Sequence, residues 1–340
     1  MERVAFLIMM LCVFCISNAA NYLTFAAEED GSTFGILNKN NNPDVQYSLD
    51  GGETWTALVE GDAITLVHKD DKALLRGNNP EGFSKDWNQY SCFRMTGKVA
   101  ASGSVMSLID GTGETLVVPA DYCFYSLFEG CTNLTQTPEL PATTLADGCY
   151  NGMFSGCTIL MQAPELPATT LADYCYSFMF KGCTRLTQAP ELPATTLANC
   201  CYNFMFSGCT NLSEIRVAFV EWEKEDNTHF WVENVAPTGT FYCPRALPLE
   251  YGLDRIPEGW TVKYIEEGTG VNDVVASGIA VWTEGNTIYV RDSEGDVEVY
   301  DMLGRLIVSK RNGQENIQIP VPQKGIYVVK VGTETHKVEL

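Results

Sequence analysis

The sequence predicts a mostly β protein with short helices, built from an N-terminal β-sandwich-like domain, a solenoid of 26-residue repeats and a C-terminal β-sandwich. Three observations carry that prediction. Between about Pro119 and Leu212, LPATTLADGCYNGMFSGCTIL, LPATTLADYCYSFMFKGCTRL and LPATTLANCCYNFMFSGCTNL recur at a fixed interval of 26 residues, and such a period marks small units that stack on one another. Residues 21–118 hold short runs rich in branched and aromatic residues, separated by Gly, Asn and Asp clusters. Residues 276–340 alternate apolar and polar positions, the period of strands with one buried face.

At 340 residues, 45% of them hydrophobic, the chain is long enough for several modules with real cores. The net charge of −21 is spread along the chain with no basic stripe. Binding to nucleic acid by neutralising phosphates is therefore not expected, and the acidity reads as solubility. Residues 1–20 read as an export signal: Arg3, the apolar run Val4 to Ile16, then Ser17-Asn18-Ala19 as a small-residue cleavage site, with removal near Ala19 or Ala20. That run is too short for a membrane span, and no other stretch approaches one. Cys12 and Cys15 fall inside it, so their spacing is not read as redox or metal chemistry.

In the N-terminal all-β domain, residues 21–118, the runs Tyr22-Leu-Thr-Phe, Val45-Gln-Tyr-Ser, Ala63-Ile-Thr-Leu-Val and Ala73-Leu-Leu-Arg have the spacing of a small sandwich. Ser48-Leu-Asp-Gly-Gly-Glu-Thr-Trp55 resembles an Asp-box, the hairpin found in sialidases and other β-proteins. A single copy implies a structural turn, since Asp50-Gly51-Gly52 supplies the positive φ a tight hairpin needs.

Each unit of the solenoid, residues 119–218, predicts a short strand, a turn and a short helix. Pro138 and Pro141 with their copies favour an extended path. Thr144 and Asp147 form an approximate capping box. Leu145, Cys149, Met153 and Cys157 then recur every four residues, read as helical spacing, with Gly156 placed to end the helix. The repeat core is expected from Phe128, Phe154, Phe180 and Phe206, from Cys131, Cys157, Cys183 and Cys209, and from Met153, Met179 and Met205.

These units, L-x-x-A-P-x-L-P and M-F-x-G-C-T-x-L, resemble the BspA-like class of bacterial leucine-rich repeats. The resemblance covers about 100 residues. It implies a curved leucine-rich-repeat solenoid on a secreted or surface-displayed protein, with adhesion and binding to host proteins as its role. Residues 219–265, with Trp222, His229, Phe230 and Trp231, depart from the repeat and read as an aromatic cap over its end.

Residues 266–275 read as a polar linker and 276–340 as an Ig-like β-sandwich. Val299-Tyr-Asp-Met-Leu-Gly-Arg-Leu306 and Lys324-Gly-Ile-Tyr-Val-Val-Lys-Val331 resemble the C-terminal (Por) sorting domain of type IX secretion, a feature of Bacteroidota. That resemblance implies an address read by the secretion machinery at the outer membrane, and hence an outer-surface location.

Eleven cysteines follow the export signal, mostly one pair per repeat, such as Cys149/Cys157. In an exported chain such pairs suggest disulfides. On one helix, however, eight residues separate their Cα atoms by about 12 Å, beyond the roughly 7 Å a disulfide spans. Stacked buried thiols are the preferred reading, with disulfides as the alternative. No metal or cofactor is expected: the cysteine spacing matches no zinc pattern, and His68, His229 and His336 lie far apart. Asp110-Gly-Thr-Gly-Glu114 reads as a turn lacking a full calcium ligand set.

Two columns are candidate partner contacts. Tyr150, Tyr176 and Tyr202 could stack sugar rings or simply pack rung on rung. Asn133, Ile159, Arg185 and Asn211 occupy a position that varies between units, and positions released from core duty are the ones free to meet a partner. Motifs for catalysis are not found. The expected function is non-catalytic protein binding or adhesion through the solenoid. Two alternatives remain, a glycan-binding accessory protein and a hydrolase with its site in the N-terminal domain.

Overall fold

The computed structural model describes residues 20–222, 225–265, 280–284, 287–291, 296–301, 305–310, 316–321, 326–331 and 334–339. The export signal, apart from Ala20, and the linker at 266–275 lie outside them. The chain divides into two compact units, Met1–Ile265 and Glu266–Leu340.

The first unit begins with β1 (Leu23–Ala27), β2 (Ser32–Lys39), β3 (Gln46–Ser48), β4 (Thr56–Ala57), β5 (Ile64–Leu66), β6 (Lys72–Arg76), β7 (Tyr90–Thr96) and β8 (Val99–Ser102). They form two sheets, ordered β4-β3-β6-β1-β8 and β5-β2-β7, with antiparallel pairing throughout. Alternation decides which face is buried: Leu23, Phe25 and Ala27 of β1 point inward opposite Leu75 and Ala73 of β6. Phe25 meets Phe34 and Phe93 of the other sheet edge-on at 5.3 and 5.0 Å, and reaches Phe128 of the first repeat at 6.1 Å. One core thus runs from Leu23 to Trp260, and the N-terminal sheets share it with the solenoid.

The hairpin at Ser48–Trp55 is a turn held by Asp50. Its carboxylate accepts the Ser48 hydroxyl and the Thr54 N–H and hydroxyl, and Gly51 and Gly52 take φ of 76° and 98°. The Ser48 hydroxyl, then Thr54, hold this carboxyl well below the usual carboxylate range.

The repeats wind into a β-solenoid of about three turns, and here the helix expectation fails. No helix lies between residues 120 and 212; among the described residues the helical elements are α1 (Ser107–Asp110) and a 3-10 turn at Glu225–Thr228. Instead, every fourth residue is left-handed: Gly148, Gly152 and Gly156 (φ 60°, 66° and 74°), then Tyr174, Phe178 and Gly182, then Cys200, Phe204 and Gly208. A left-handed residue in each fourth place breaks an α-helix, so the period of four came from a chain of turns. The backbone bonds divide accordingly. Tyr122, Phe124, Ser126, Phe128 and Gly130 donate their N–H groups to Asp147, Cys149, Asn151, Met153 and Ser155 of the next rung, at 2.7–2.9 Å. Tyr125, Leu127, Glu129 and Cys131 donate to the carbonyl three residues back. These inter-rung and three-residue bonds supply partners for the buried amides of the turns without a helix. The expected capping box is replaced by a ladder: Asp121, Asp147 and Asp173 each accept the N–H of the residue 26 positions on, at 3.0–3.1 Å.

On another side of the coil, β9 (Leu134–Gln136) pairs in parallel with β8, while β10 (Gln188–Leu192), β11 (Glu214–Val217), β12 (Thr240–Pro244) and β13 (Thr261–Ile265) form a parallel sheet in that order. Residues 219–265, expected only to cap the coil, extend it. Tyr202, Phe204, Phe206 and Gly208 donate to Asn227, His229, Trp231 and Glu233 as in the rungs before, and Phe230 and Asn234 keep the left-handed places. Phe219, Trp222, Trp231 and Phe241 cluster at that end with ring centroids 5.1–6.4 Å apart.

The second unit contains β14 (Ala280–Glu284), β15 (Thr287–Arg291), β16 (Val297–Asp301), β17 (Leu306–Lys310), β18 (Asn316–Pro320), β19 (Ile326–Val331) and β20 (Glu334–Glu339). They pair antiparallel as β14-β15-β18 and β17-β16-β19-β20. Ile288, Val290, Val297, Val299, Ile317, Ile319, Val329 and Val331 bury alternate positions in one core.

Candidate functional site

Pairs of inward residues recur along the turn ladder. Cys149-Tyr150 and Met153-Phe154 are fully buried, while Asn151 and Ser155, which follow each pair, are half-exposed. The inward columns stack face to face from rung to rung. Phe128, Phe154, Phe180 and Phe206 follow one another at 5.5, 5.7 and 5.9 Å, within 11° of parallel. Met153, Met179 and Met205 lie in the same interior.

All eleven described cysteines are free and buried. Cys131, Cys157, Cys183 and Cys209 donate their S–H groups to the carbonyls of Phe93, Phe128, Phe154 and Phe180 at 3.3, 3.3, 3.1 and 3.0 Å. Burial pushes the Cys131 and Cys183 thiols up to about 12. A thiol that keeps its proton and is shut off from solvent is neither a nucleophile nor a metal ligand.

The tyrosine column belongs to this interior, which corrects its candidacy as a ligand surface. Phe124, Tyr150, Tyr176 and Tyr202 stack at 5.7, 6.0 and 6.2 Å, and Trp231 closes the column at 6.3 Å from Tyr202. Tyr150, Tyr176 and Tyr202 are at most 1% exposed, so no sugar ring reaches them. The second column does lie outside: Asn133 and Ile159 are half-buried, Arg185 and Asn211 exposed. Asn211 is held by its side-chain amide, which donates to the Thr184 carbonyl of the rung before at 2.6 Å.

A third column on the outward face was missed. Ser126, Gly152, Phe178, Phe204 and Phe230 occupy one left-handed position in successive rungs. Phe178 and Phe204 stack at 4.9 Å and 8°, Phe204 and Phe230 at 5.5 Å and 16°, and all three are half-buried. Lys181 sits with its ammonium 5.3 Å from the centroids of both Phe178 and Phe204, and Tyr174 is 40% exposed one turn earlier. The signal was available, because this position varies between units as Ser, Gly, Phe and Phe. It was hidden by reading the segment as a helix, whose outward face lies elsewhere. Holding a non-glycine residue left-handed costs about 1 kcal/mol, so these rings sit where glycine would be the stable choice.

Among the described residues, no helix is long and apolar enough to cross a membrane. No curated protein and no solved structure matches the chain. Residues 283–339, which carry the strands from β15 to β20, match the secretion system C-terminal sorting domain; the chain is a secreted or cell-surface protein that carries the address its secretion machinery reads.

Proposed function

We propose that the chain is a non-catalytic binding or adhesion protein of the cell surface, of the BspA-like leucine-rich-repeat kind. Its solenoid presents a protein-binding face to a host, matrix or neighbouring-cell protein. The observation that carries this reading is the outward stack Phe178–Phe204–Phe230 with Lys181 against two of its rings. Aromatic residues are enriched at the buried centre of protein interfaces, and here they stand at positions where the fold itself favours glycine. Arg185 and Asn211 are exposed as well and are the further candidate contacts on the solenoid.

The test is a solid-phase screen of the exported chain against extracellular-matrix and surface proteins, repeated with Phe178→Ser/Phe204→Ser and with Arg185→Ala/Asn211→Ala. A captured protein whose affinity falls by about tenfold or more in the first double variant supports the face. Binding unchanged in both variants, or turnover of the captured partner, would remove the proposal.

A further inference from the structure

We propose a second, separate binding site: an open cleft in the N-terminal sheets that takes a neutral saccharide. The cleft has a volume of about 570 Å³ and is lined by Asn38, Asn40, Asn41, Asn42, Glu60 and Lys85. Three parts of the fold supply it. Asn38 lies near the end of β2, Asn40 to Asn42 form the loop after it, and Glu60 comes from the connection between β4 and β5. Lys85 belongs to the hairpin that precedes β7, where its N–H donates to the Gln89 carbonyl at 2.8 Å.

Part of this lining is fixed in advance. Asn38 Oδ1 accepts the Ser91 hydroxyl at 2.6 Å, and Asn41 Nδ2 donates both to Ser91 Oγ and to the Phe83 carbonyl, each at 2.9 Å. Ser91 is fully buried, so one hydroxyl pins two amides. The remaining halves, Asn38 Nδ2 and Asn41 Oδ1, are a donor and an acceptor with no protein partner among the described residues. Asn42 is exposed and Lys85 forms no ion pair there. Asn40 takes φ of 50°, and its amide reaches the Asn88 carbonyl at 3.5 Å, which brings the 85–89 hairpin against the asparagine loop. Trp87 stands on that hairpin, 58% exposed.

The chemistry selects the ligand class. Paired amide donors and acceptors match vicinal hydroxyls, each of which both donates and accepts. Trp87 is not itself part of the lining, but it stands two residues from Lys85 on the same hairpin with its indole exposed, a flat apolar surface of the kind that takes the C–H face of a sugar ring. A phosphate would meet one ammonium beside the Glu60 carboxylate, and an apolar ligand would find no apolar side chain in the lining. The site is independent of the solenoid face: it uses none of Phe178, Phe204 or Lys181.

A neutral-glycan microarray probed with the exported chain, followed by calorimetry on the glycans retained, tests the proposal. Binding of at least one neutral glycan is expected, weakened about tenfold or more by Asn42→Ala and by Trp87→Ala. It should change less than about threefold between low and high salt and in Lys85→Gln, because no charge is matched. Phe178→Ser/Phe204→Ser should leave it intact, which separates this site from the protein-binding face. Far-UV circular dichroism shows that each variant is folded. No neutral glycan retained, full affinity in both Asn42→Ala and Trp87→Ala, or a salt-sensitive acidic ligand in its place would overturn the proposal.

Discussion

Tyr150 buries a hydroxyl that has no hydrogen-bond partner, in a column whose first member, Phe124, has none to bury. Leaving such a group unpaired costs about 1–3 kcal/mol. Tyr150→Phe should therefore raise the unfolding free energy, by about 1 kcal/mol, and a lower urea midpoint would show that the hydroxyl does have a partner. The thiols make a pH prediction. Burial lifts Cys123, Cys131, Cys183 and Cys201 from 9.0 to about 12. Below the unfolded value both states keep the proton, and the stability is fully present. Between that value and the folded one only the unfolded chain releases it, so stability is lost as pH rises, by about 1.4 kcal/mol per pH unit for each thiol. Urea unfolding under reductant should show little change up to about pH 9 and a steep fall from there to about pH 10.5, made shallower by Cys183→Ala. A flat profile would mean that these thiols are not buried as protonated groups. Why the tyrosines looked ambiguous is also a residue-scale matter: a column of identical rings has the same letters whether it faces in or out.

The rung is the unit that the repeat spells out. Its extended side was legible from Pro138, Pro141 and their copies, which forbid helix, although residues 158–170 form no strand. Its other side was not, because spacing at i, i+4 and i+8 fits both a helix and a chain of four-residue turns. What separates the two is φ. Glycine marks the left-handed places of one rung, but Tyr174, Phe178, Cys200 and Phe204 occupy the same places in the next two, and those residue types carry no left-handed preference to read. Their conformation is imposed by the rungs on either side through N–H bonds 25 residues apart, such as Tyr176 to Cys201. The same dependence makes whole rungs exchangeable. Excising residues 158–183 rejoins Cys157 to Thr184 in register and should leave a cooperative solenoid with a lower melting temperature. Excising 158–170 puts inward residues outside and should abolish the cooperative transition. Circular dichroism melts of the two deletions compare these outcomes, and equal melting of both would contradict stacking in register.

At the scale of the whole molecule, the sorting domain lies within the second compact unit. Among the described residues, the core of the first unit is built from residues 23–260 and that of the second from residues 281–338. Ending the chain at Ile265 should leave the first unit folded, with its melting transition preserved, while surface labelling of cells falls to background. Display that persists without residues 266–340 would assign the address elsewhere. The strands of the second unit were readable because a strand with a single buried face writes its period directly into the chain, as at Val297, Val299, Val329 and Val331. The address was legible only through the resemblance of Val299–Leu306 and Lys324–Val331 to the sorting domain. The sequence by itself determined the repeat length, the solenoid and the inward columns of Phe, Met and Cys, though not that of Tyr, since a unit that cannot bury its own Phe, Met and Cys must stack on its copy. Tertiary structure alone decided the handedness of every fourth residue, the extension of the coil past Leu212, and the outward position of Phe178, Phe204 and Phe230. Those are settled by hydrogen bonds between rungs, which join residues too far apart for any local propensity to encode.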